Sequence, residues 1–218
     1  MRLIDLSHTV HDGLVTYKGL PPPLICDFIS REASKRVYAD GTTFQIGSIE
    51  LCSNTGTYLD SPWHRYEHGK DLSELDLDSV AHLTGVKVHV GPQRSVIDAD
   101  AFDGIDVGGK AVLIQTDWSR HWNTEAYYEG HPYLTEAAAV HLRDAGAVLV
   151  GIDTYNIDDV SGGERPVHTV LLGNDVLIVE HMTNLAAVPD SGFRFYAVPV
   201  KVRGMGTFPV RAFAEVDD

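Results

Sequence analysis

Apolar positions along this chain recur mainly at every second residue, the spacing of strands rather than of helices. "RLIDLSHTV" opens the chain in this way. "TTFQIGSIEL" puts Phe44 and Ile46 on one face, then switches phase to Ile49 and Leu51. Such a switch at Gly47-Ser48 predicts a β-bulge. Further strands are predicted at "VKVHV", "AVLIQTDW", "AVLVGIDTYNI", "DVLIVEHM", "FRFYAVPVKV" and "FPVRAFAEV". Pro199 places its strand at an edge or a bulge, because proline cannot donate to a ladder. The clearest helix is "TEAAAVHLRDAG", with Thr135 as N-cap and Gly146 just past the C-cap. A helix between two strands is a βαβ signal, so some strands are predicted to be parallel. The whole reads as an α/β fold, rich in strand, with a mixed sheet and few helices.

There is no repeat, low-complexity tract or linker. The densest breaker segment, "KGLPPPL" from Lys18 to Leu24, reads as a surface crossing, so residues 1–218 are expected to form a single domain. Hydrophobic residues at 44% and charged residues at 22% are ordinary globular values. The net charge of −14 argues against nucleic acid or an anionic membrane as partner, because both require a basic footprint. No apolar run is long enough to span a bilayer, and the N-terminus lacks the apolar core of a signal peptide, which predicts a cytoplasmic protein. Cys26 and Cys52 are expected to be two buried free thiols rather than a disulfide.

Three places could carry chemistry. In "SNTGTYLDSPWHR", Pro62 breaks any helix between Asp60 and His64, so both side chains can converge in a structured loop. The alternative is a turn with a surface Asp and a partly buried His. Strand alternation sets Glu180 on the face of Val176 and Ile178 and turns His181 the other way. A carboxylate there either meets a cation, a metal or several donors, or emerges into solvent at the strand end. The loop containing Gly162, Gly163 and Pro166 delivers His168 ahead of an apolar run, where a lone histidine is commonly structural. His121, His131, Trp118 and Trp122 suit a pocket wall or a dimer contact better than a metal site.

Taken together, these stretches resemble the cyclase-type metal-dependent hydrolases, the family of bacterial kynurenine formamidase and isatin hydrolase. "TGTYLDSPWH" is similar to the signature H-[ST]-G-T-H-x-D-x-P-x-H at the Gly, second Thr, Asp, Pro and final His. "HPYLTEAAAVHL", "GIDTYNIDD", "RPVHTVLLG", "VEHMTNL" and "GFRFYAVPVKVRGMGTFPVRAFAEV" resemble later family blocks in the same order.

The resemblance implies a swivelling β/β/α-type domain, a homodimer or higher homo-oligomer, and a divalent metal, zinc or manganese. Carried over by position, two signature metal-ligand histidines are replaced by Asn54 and Tyr58, while Asp60, His64, His168 and Glu180 match. Neutral imidazole is a good donor to such metals; an amide carbonyl or a neutral phenol is poor.

One implied arrangement therefore keeps the metal on Asp60, His64, His168 and Glu180, leaving Glu180, or a group behind the ligands, to replace His64 as base. A second uses an Asp60–His64 pair without metal, Asn54 and Tyr58 donating to an oxyanion. Both describe a hydrolase of a small amide, lactam, lactone or ester, arylformamidase-like by resemblance. The alternative is a non-catalytic ligand-binding relative that has lost the metal site.

Overall fold

The computed structural model describes residues 1–91 and 93–217. In chain order the first strands are β1 (Arg2–Asp5), β2 (Leu24–Ile29), β3 (Ile46–Glu50), β4 (Tyr58–Asp60) and β5 (Leu83–His89). They are followed by β6 (Val96–Ile97), β7 (Ala111–Gln115), β8 (Tyr133–Leu134), β9 (Leu149–Ile152) and β10 (Leu177–Glu180). The last are β11 (Ser191–Tyr196), β12 (Thr207–Pro209) and β13 (Phe213–Val216). The α-helices are α1 (Arg31–Ser34), α2 (Glu136–Asp144) and α3 (Pro166–Leu172).

Nine strands form one mixed sheet in the order β1-β13-β11-β5-β7-β9-β10-β4-β12. Its centre, β5-β7-β9-β10, is parallel, and antiparallel strands complete it on both sides. The parallel centre follows from three crossovers, two of them through the longer helices. The first of those two is the predicted one: Thr135 Oγ1 accepts from the Ala138 amide at 3.1 Å to start α2, and Gly146 at φ +84° ends it. The second, β9-α3-β10, departs from the loop expected around His168. Pro166 instead occupies the first turn of α3, where its missing N–H costs nothing.

Alternation along the central strands divides the core. Val112, Ile114, Val150, Ile152 and Ile178 pack beneath Ala138, Leu142 and Leu171 of the helices. Leu113, Leu149, Leu177 and Val179 face the other way onto Leu6, Leu59 and Met182.

Two expectations fail in and beside the β2–β3 pair. β2 and β3 pair only with each other, as a ribbon standing off the core, so their apolar residues remain exposed, Phe28 by 75%. The bulge lies in the partner strand, between Asp27 and Ile29 opposite Gly47 and Ile46, rather than at Gly47-Ser48. Cys26, on β2, is exposed and Cys52 is half-buried, both free, so neither is the buried thiol expected. Alternation reports which residues share a face, but not whether anything covers it.

Asp153, just past β9, ties together the carboxyl ends of the parallel strands. Its Oδ1 accepts from the Thr116 amide and hydroxyl, both at 2.7 Å, and its Oδ2 from the Asp117 amide at 3.1 Å. Burial raises its pKa from 3.8 to about 6 despite those bonds. Between these values the folded chain keeps a proton that the unfolded chain releases, so stability falls as pH rises through that window. The stability advantage of wild type over Asp153→Asn should accordingly be largest below pH 4. It should shrink by about 3 kcal/mol as pH passes 6, as read from urea unfolding of both proteins across pH 4–7. A flat difference would place the titrating proton elsewhere.

Candidate functional site

The candidate site lies at the carboxyl ends of β9 and β10, where antiparallel β4 joins the parallel strands. Register sets Tyr58 opposite Glu180 and Asp60 opposite Ile178. β12 pairs on the far side of β4 and places Thr207 opposite Asp60. After Asp60 a single turn of 3-10 helix, Pro62–His64, folds back, since Pro62 excludes a longer strand. The first turn of α3 brings in His168 from above.

Asp60, His64 and His168 each offer a ligand atom within 4.8 Å of the others, making a group that could hold a metal ion. Asp60 is fully buried. Its Oδ1 accepts from the Thr207 hydroxyl, while Oδ2 has no hydrogen-bond partner. Thr207 Oγ1 also lies 2.8 Å from His64 Nδ1. Because the threonine proton goes to the carboxylate, His64 Nδ1 must carry the proton between them, and the lone pair of His64 is left on Nε2. His168 is fixed in the same sense: Nδ1 donates to Asp158 Oδ2 at 2.5 Å. Its Nε2 lies 3.7 Å from Asp60 Oδ2 and 4.0 Å from Glu180 Oε1, too far for hydrogen bonds.

Burial opposes charge on His168, but the Asp158 hydrogen bond and the Asp60 and Glu180 carboxylates outweigh it and lift its pKa to about 10. Glu180 is 1% exposed, and burial pushes its pKa up, with the Asp60 charge adding to the rise. It is the buried, donor-satisfied carboxylate of the two readings left open. Oε1 accepts from the Ile157 amide at 2.6 Å, and Oε2 from the Tyr58 hydroxyl at 2.6 Å. The Tyr17 hydroxyl lies 2.9 Å from that of Tyr58, and Asn156 Nδ2 donates to it at 3.0 Å. Burial, and then Glu180, raise both phenols well above their ordinary range, so Tyr58 is a neutral donor to Glu180 and not a phenolate.

Above this group opens a cavity of about 320 Å³, within the range of small-molecule sites. Asn54, Tyr58, His64, His168 and Glu180 all reach it. Ser53 Oγ donates to Asn54 Oδ1 at 3.1 Å, which turns the Asn54 amide N–H groups outward as donors. Tyr58 has already given its proton to Glu180. Trp118, Trp122, His121 and His131 do not line the cavity; Trp122 stacks on His8 with ring centres 4.0 Å apart. His181 leaves the sheet at φ 53° and meets the Tyr127 hydroxyl at 2.9 Å, away from the ligand group. Sequence reasoning missed Asp158, Thr207, Tyr17 and Asn156. Only Asp158 left a local sign, the acidic "IDD" ahead of the His168 loop.

Residues 4–159, well over half the chain, match the model of the Cyclase family, described as "Putative cyclase". The chain belongs to that family. Within it, the kynurenine formamidase of Bacillus cytotoxicus is 28% identical over 218 aligned residues, covering 96% of this chain and 95% of that protein. An isatin hydrolase bound to the product analogue thioisatinate shares the fold, with a TM-score of 0.83 at 20% identity over 99% of this chain and 92% of that one. So does a structure described as a potential metal-dependent hydrolase with cyclase activity, with a TM-score of 0.79 at 24% identity over 98% and 96%.

Whether the group of Asp60, His64 and His168 fits a metal ion can be tested on its chemistry. Asp60 Oδ2 is a buried acceptor without a donor, and each of the two imidazoles has a ring nitrogen within 4.8 Å of an Asp60 oxygen and of the other. A buried anionic oxygen with no partner is costly unless a cation meets it. The donor set fits one divalent ion, on fewer imidazoles than the family signature supplies.

Proposed function

We propose that this protein is a metal-assisted hydrolase of a small substrate with an amide-type C–N bond, arylformamidase-like in chemistry. The observation that carries the reading is the buried, unpartnered Asp60 Oδ2 in a group with His64 and His168, the two histidines lining an open cavity. The kynurenine formamidase relatives, which align over 96% of the chain, support the reaction class.

Asp60, His64 and His168 would hold the ion, zinc or manganese, with Glu180 beside them. Bound there, it would lower the pKa of water and polarise the scissile carbonyl. The chain's own groups do the rest. Asp158 holds the His168 Nδ1 proton, so that Nε2 is the nitrogen that would give up its proton to the ion, and Thr207 fixes the Nδ1 proton of His64, which serves as ligand rather than base. Glu180 Oε1 takes the proton of the attacking water and returns it to the departing amine, as suits a carboxyl whose pKa has been raised. The Tyr58 and Tyr17 hydroxyls hold Glu180 Oε2 in place. The Asn54 amide donates to the developing oxyanion.

Elemental analysis by ICP-MS of untagged protein, paired with formanilide hydrolysis, tests this. Near one zinc or manganese per chain with turnover is expected. No metal after dialysis against both ions would reject it. The double variant Asn54→His/Tyr58→His restores two imidazoles, one of them facing Glu180, and should tighten zinc binding by at least about tenfold. Unchanged affinity in a competition titration would mean that the ion sits elsewhere.

A further inference from the structure

Tyr58 gives its proton to Glu180 Oε2 at 2.6 Å, which leaves its own oxygen as a buried acceptor in need of a donor. The group that meets it is the Tyr17 hydroxyl, 2.9 Å away. Tyr17 arrives from the irregular stretch between β1 and β2, which is pinned immediately before it. Thr16 Oγ1 accepts from the Gly56 amide at 2.8 Å, and the Val15 carbonyl accepts from the Tyr128 hydroxyl at 2.8 Å.

The protons available to these groups fix a direction. Tyr17 has one, and Asn156 Nδ2 already donates to its oxygen at 3.0 Å. The Asn156 amide is held in that sense by its other end, because Oδ1 accepts from the Asp158 amide at 2.9 Å. Two acceptors compete for the Tyr17 proton, the Tyr155 carbonyl and the Tyr58 oxygen, each at 2.9 Å. Tyr58 is the stronger claimant, since donation to a carboxylate raises the electron density on its oxygen. Were the Tyr17 proton turned wholly to Tyr155, two phenol oxygens would face each other at 2.9 Å with no proton between them. Every link therefore donates the same way: Asn156 to Tyr17, Tyr17 to Tyr58, Tyr58 to Glu180. Tyr17 is itself 3.4 Å from Glu180 Oε2, too far for a strong bond, so it acts through Tyr58.

We infer that Tyr17 and Asn156 are positioning residues for Glu180: through Tyr58 they hold Oε2 as a saturated acceptor and leave Oε1, with its single bond from the Ile157 amide, to meet the attacking water. The role in turnover rests on the hydrolase reading above; the hold on Glu180 does not. No proton passes along the chain, because each donor keeps its own while Oε1 makes the exchange. Tyr58, which stands where the family signature has a histidine, thereby serves the base rather than a metal.

The test follows the Glu180 carboxylate by infrared difference spectroscopy at alkaline pH, each protein being compared with Glu180→Gln in the same background. Steady-state hydrolysis of formanilide and melting are measured beside it. Tyr17→Phe should shift the Glu180 carboxylate stretch, although the hydroxyl it removes makes no short contact there. Asn156→Asp turns the first donor into an acceptor that draws the Tyr17 proton away from Tyr58, and should shift the stretch as well. Tyr17→Phe should lower kcat by about tenfold and leave KM within about twofold, since Glu180 meets water rather than substrate. Added to Tyr58→Phe, it should cost less than about twofold more, because the chain is already cut. Tyr128→Phe is the control. It removes another phenol that ties down the same stretch, and should lower the melting temperature while leaving the Glu180 band and kcat as in wild type.

An unmoved Glu180 band in Tyr17→Phe would overturn the proposal. So would an equal shift in Tyr128→Phe, which would make Tyr17 an anchor of its segment and nothing more. A loss in kcat that adds in full to that of Tyr58→Phe would overturn it too. If the band moves as expected and wild type does not hydrolyse formanilide, the hold on Glu180 stands and the hydrolase reading fails. If formanilide is hydrolysed while Tyr17→Phe leaves band and kcat unmoved, the hydrolase reading stands and the positioning role fails.

Discussion

Asp60→Asn is expected to lower kcat/KM by about a thousandfold or more and to abolish bound metal, without lowering the melting temperature of the metal-free protein. Asp60 is wholly buried, with Oδ1 satisfied by Thr207 and Oδ2 by no protein donor. Asparagine keeps the shape and the Thr207 bond but replaces the unpartnered oxygen near His168 with a neutral group. A ligand loses its charge, and the imidazolium form of His168 loses one of the carboxylates that favour it. Stability should not suffer, because the Asp60 charge is one of the causes that push Glu180 toward protonation. Removing one of two confined carboxylates relieves that repulsion. The split between lost activity and retained stability separates a functional carboxylate from a structural one. Turnover within threefold of wild type, measured with stoichiometric zinc or manganese, would remove Asp60 from the site.

Gly206→Ala is expected to cost about 3 kcal/mol of stability or more and to lower kcat by at least about a hundredfold, although Gly206 touches no substrate. A Cβ at this position would lie 2.2 Å from the His64 amide nitrogen, 2.5 Å from its Cα and 2.8 Å from the Trp63 carbonyl carbon. These are backbone atoms, so no rotamer change relieves the overlap. The Gly206 carbonyl also accepts from the Ser61 amide at 2.7 Å, so the two segments cannot separate without breaking the contact that holds the Pro62–His64 turn. The methyl group must therefore displace His64 from Thr207 and Asp60, and misplacement by about 1 Å is enough to disable a positioned catalytic group. Gly204→Ala is the control. It lies two residues away with open space around its Cβ, but at φ +75°. It should cost only about 1 kcal/mol and leave turnover near wild type. Equal behaviour of the two variants would mean that the close approach does not position His64.

The βαβ unit around α2 was legible because its determinants are local: the Thr135 cap, the alanine-rich body and Gly146 each act within a few residues. The face occupied by Glu180 was legible for a similar reason, since alternation along β10 continues from Val176 and Ile178. Failures arose where the missing information was a partner. The β2–β3 ribbon has the periodicity of a core strand pair, yet no layer covers it, and Cys26 lies exposed on it.

The same division runs through the candidate site. Composition and order along the chain supplied Asp60, His64, His168 and Glu180, and the substitutions at Asn54 and Tyr58 raised the question of a metal. The sheet order supplied the rest. Thr207 reaches Asp60 and His64 from 147 and 143 positions away, and Tyr17 approaches Tyr58 across 41. Asp158 lies only ten residues before His168, but its grip depends on how α3 begins. Local chemistry is carried by residue type and near neighbours. Which lone pair faces the cavity, and which phenol gives its proton to Glu180, depends on register between strands distant in sequence, and only the folded sheet settles that.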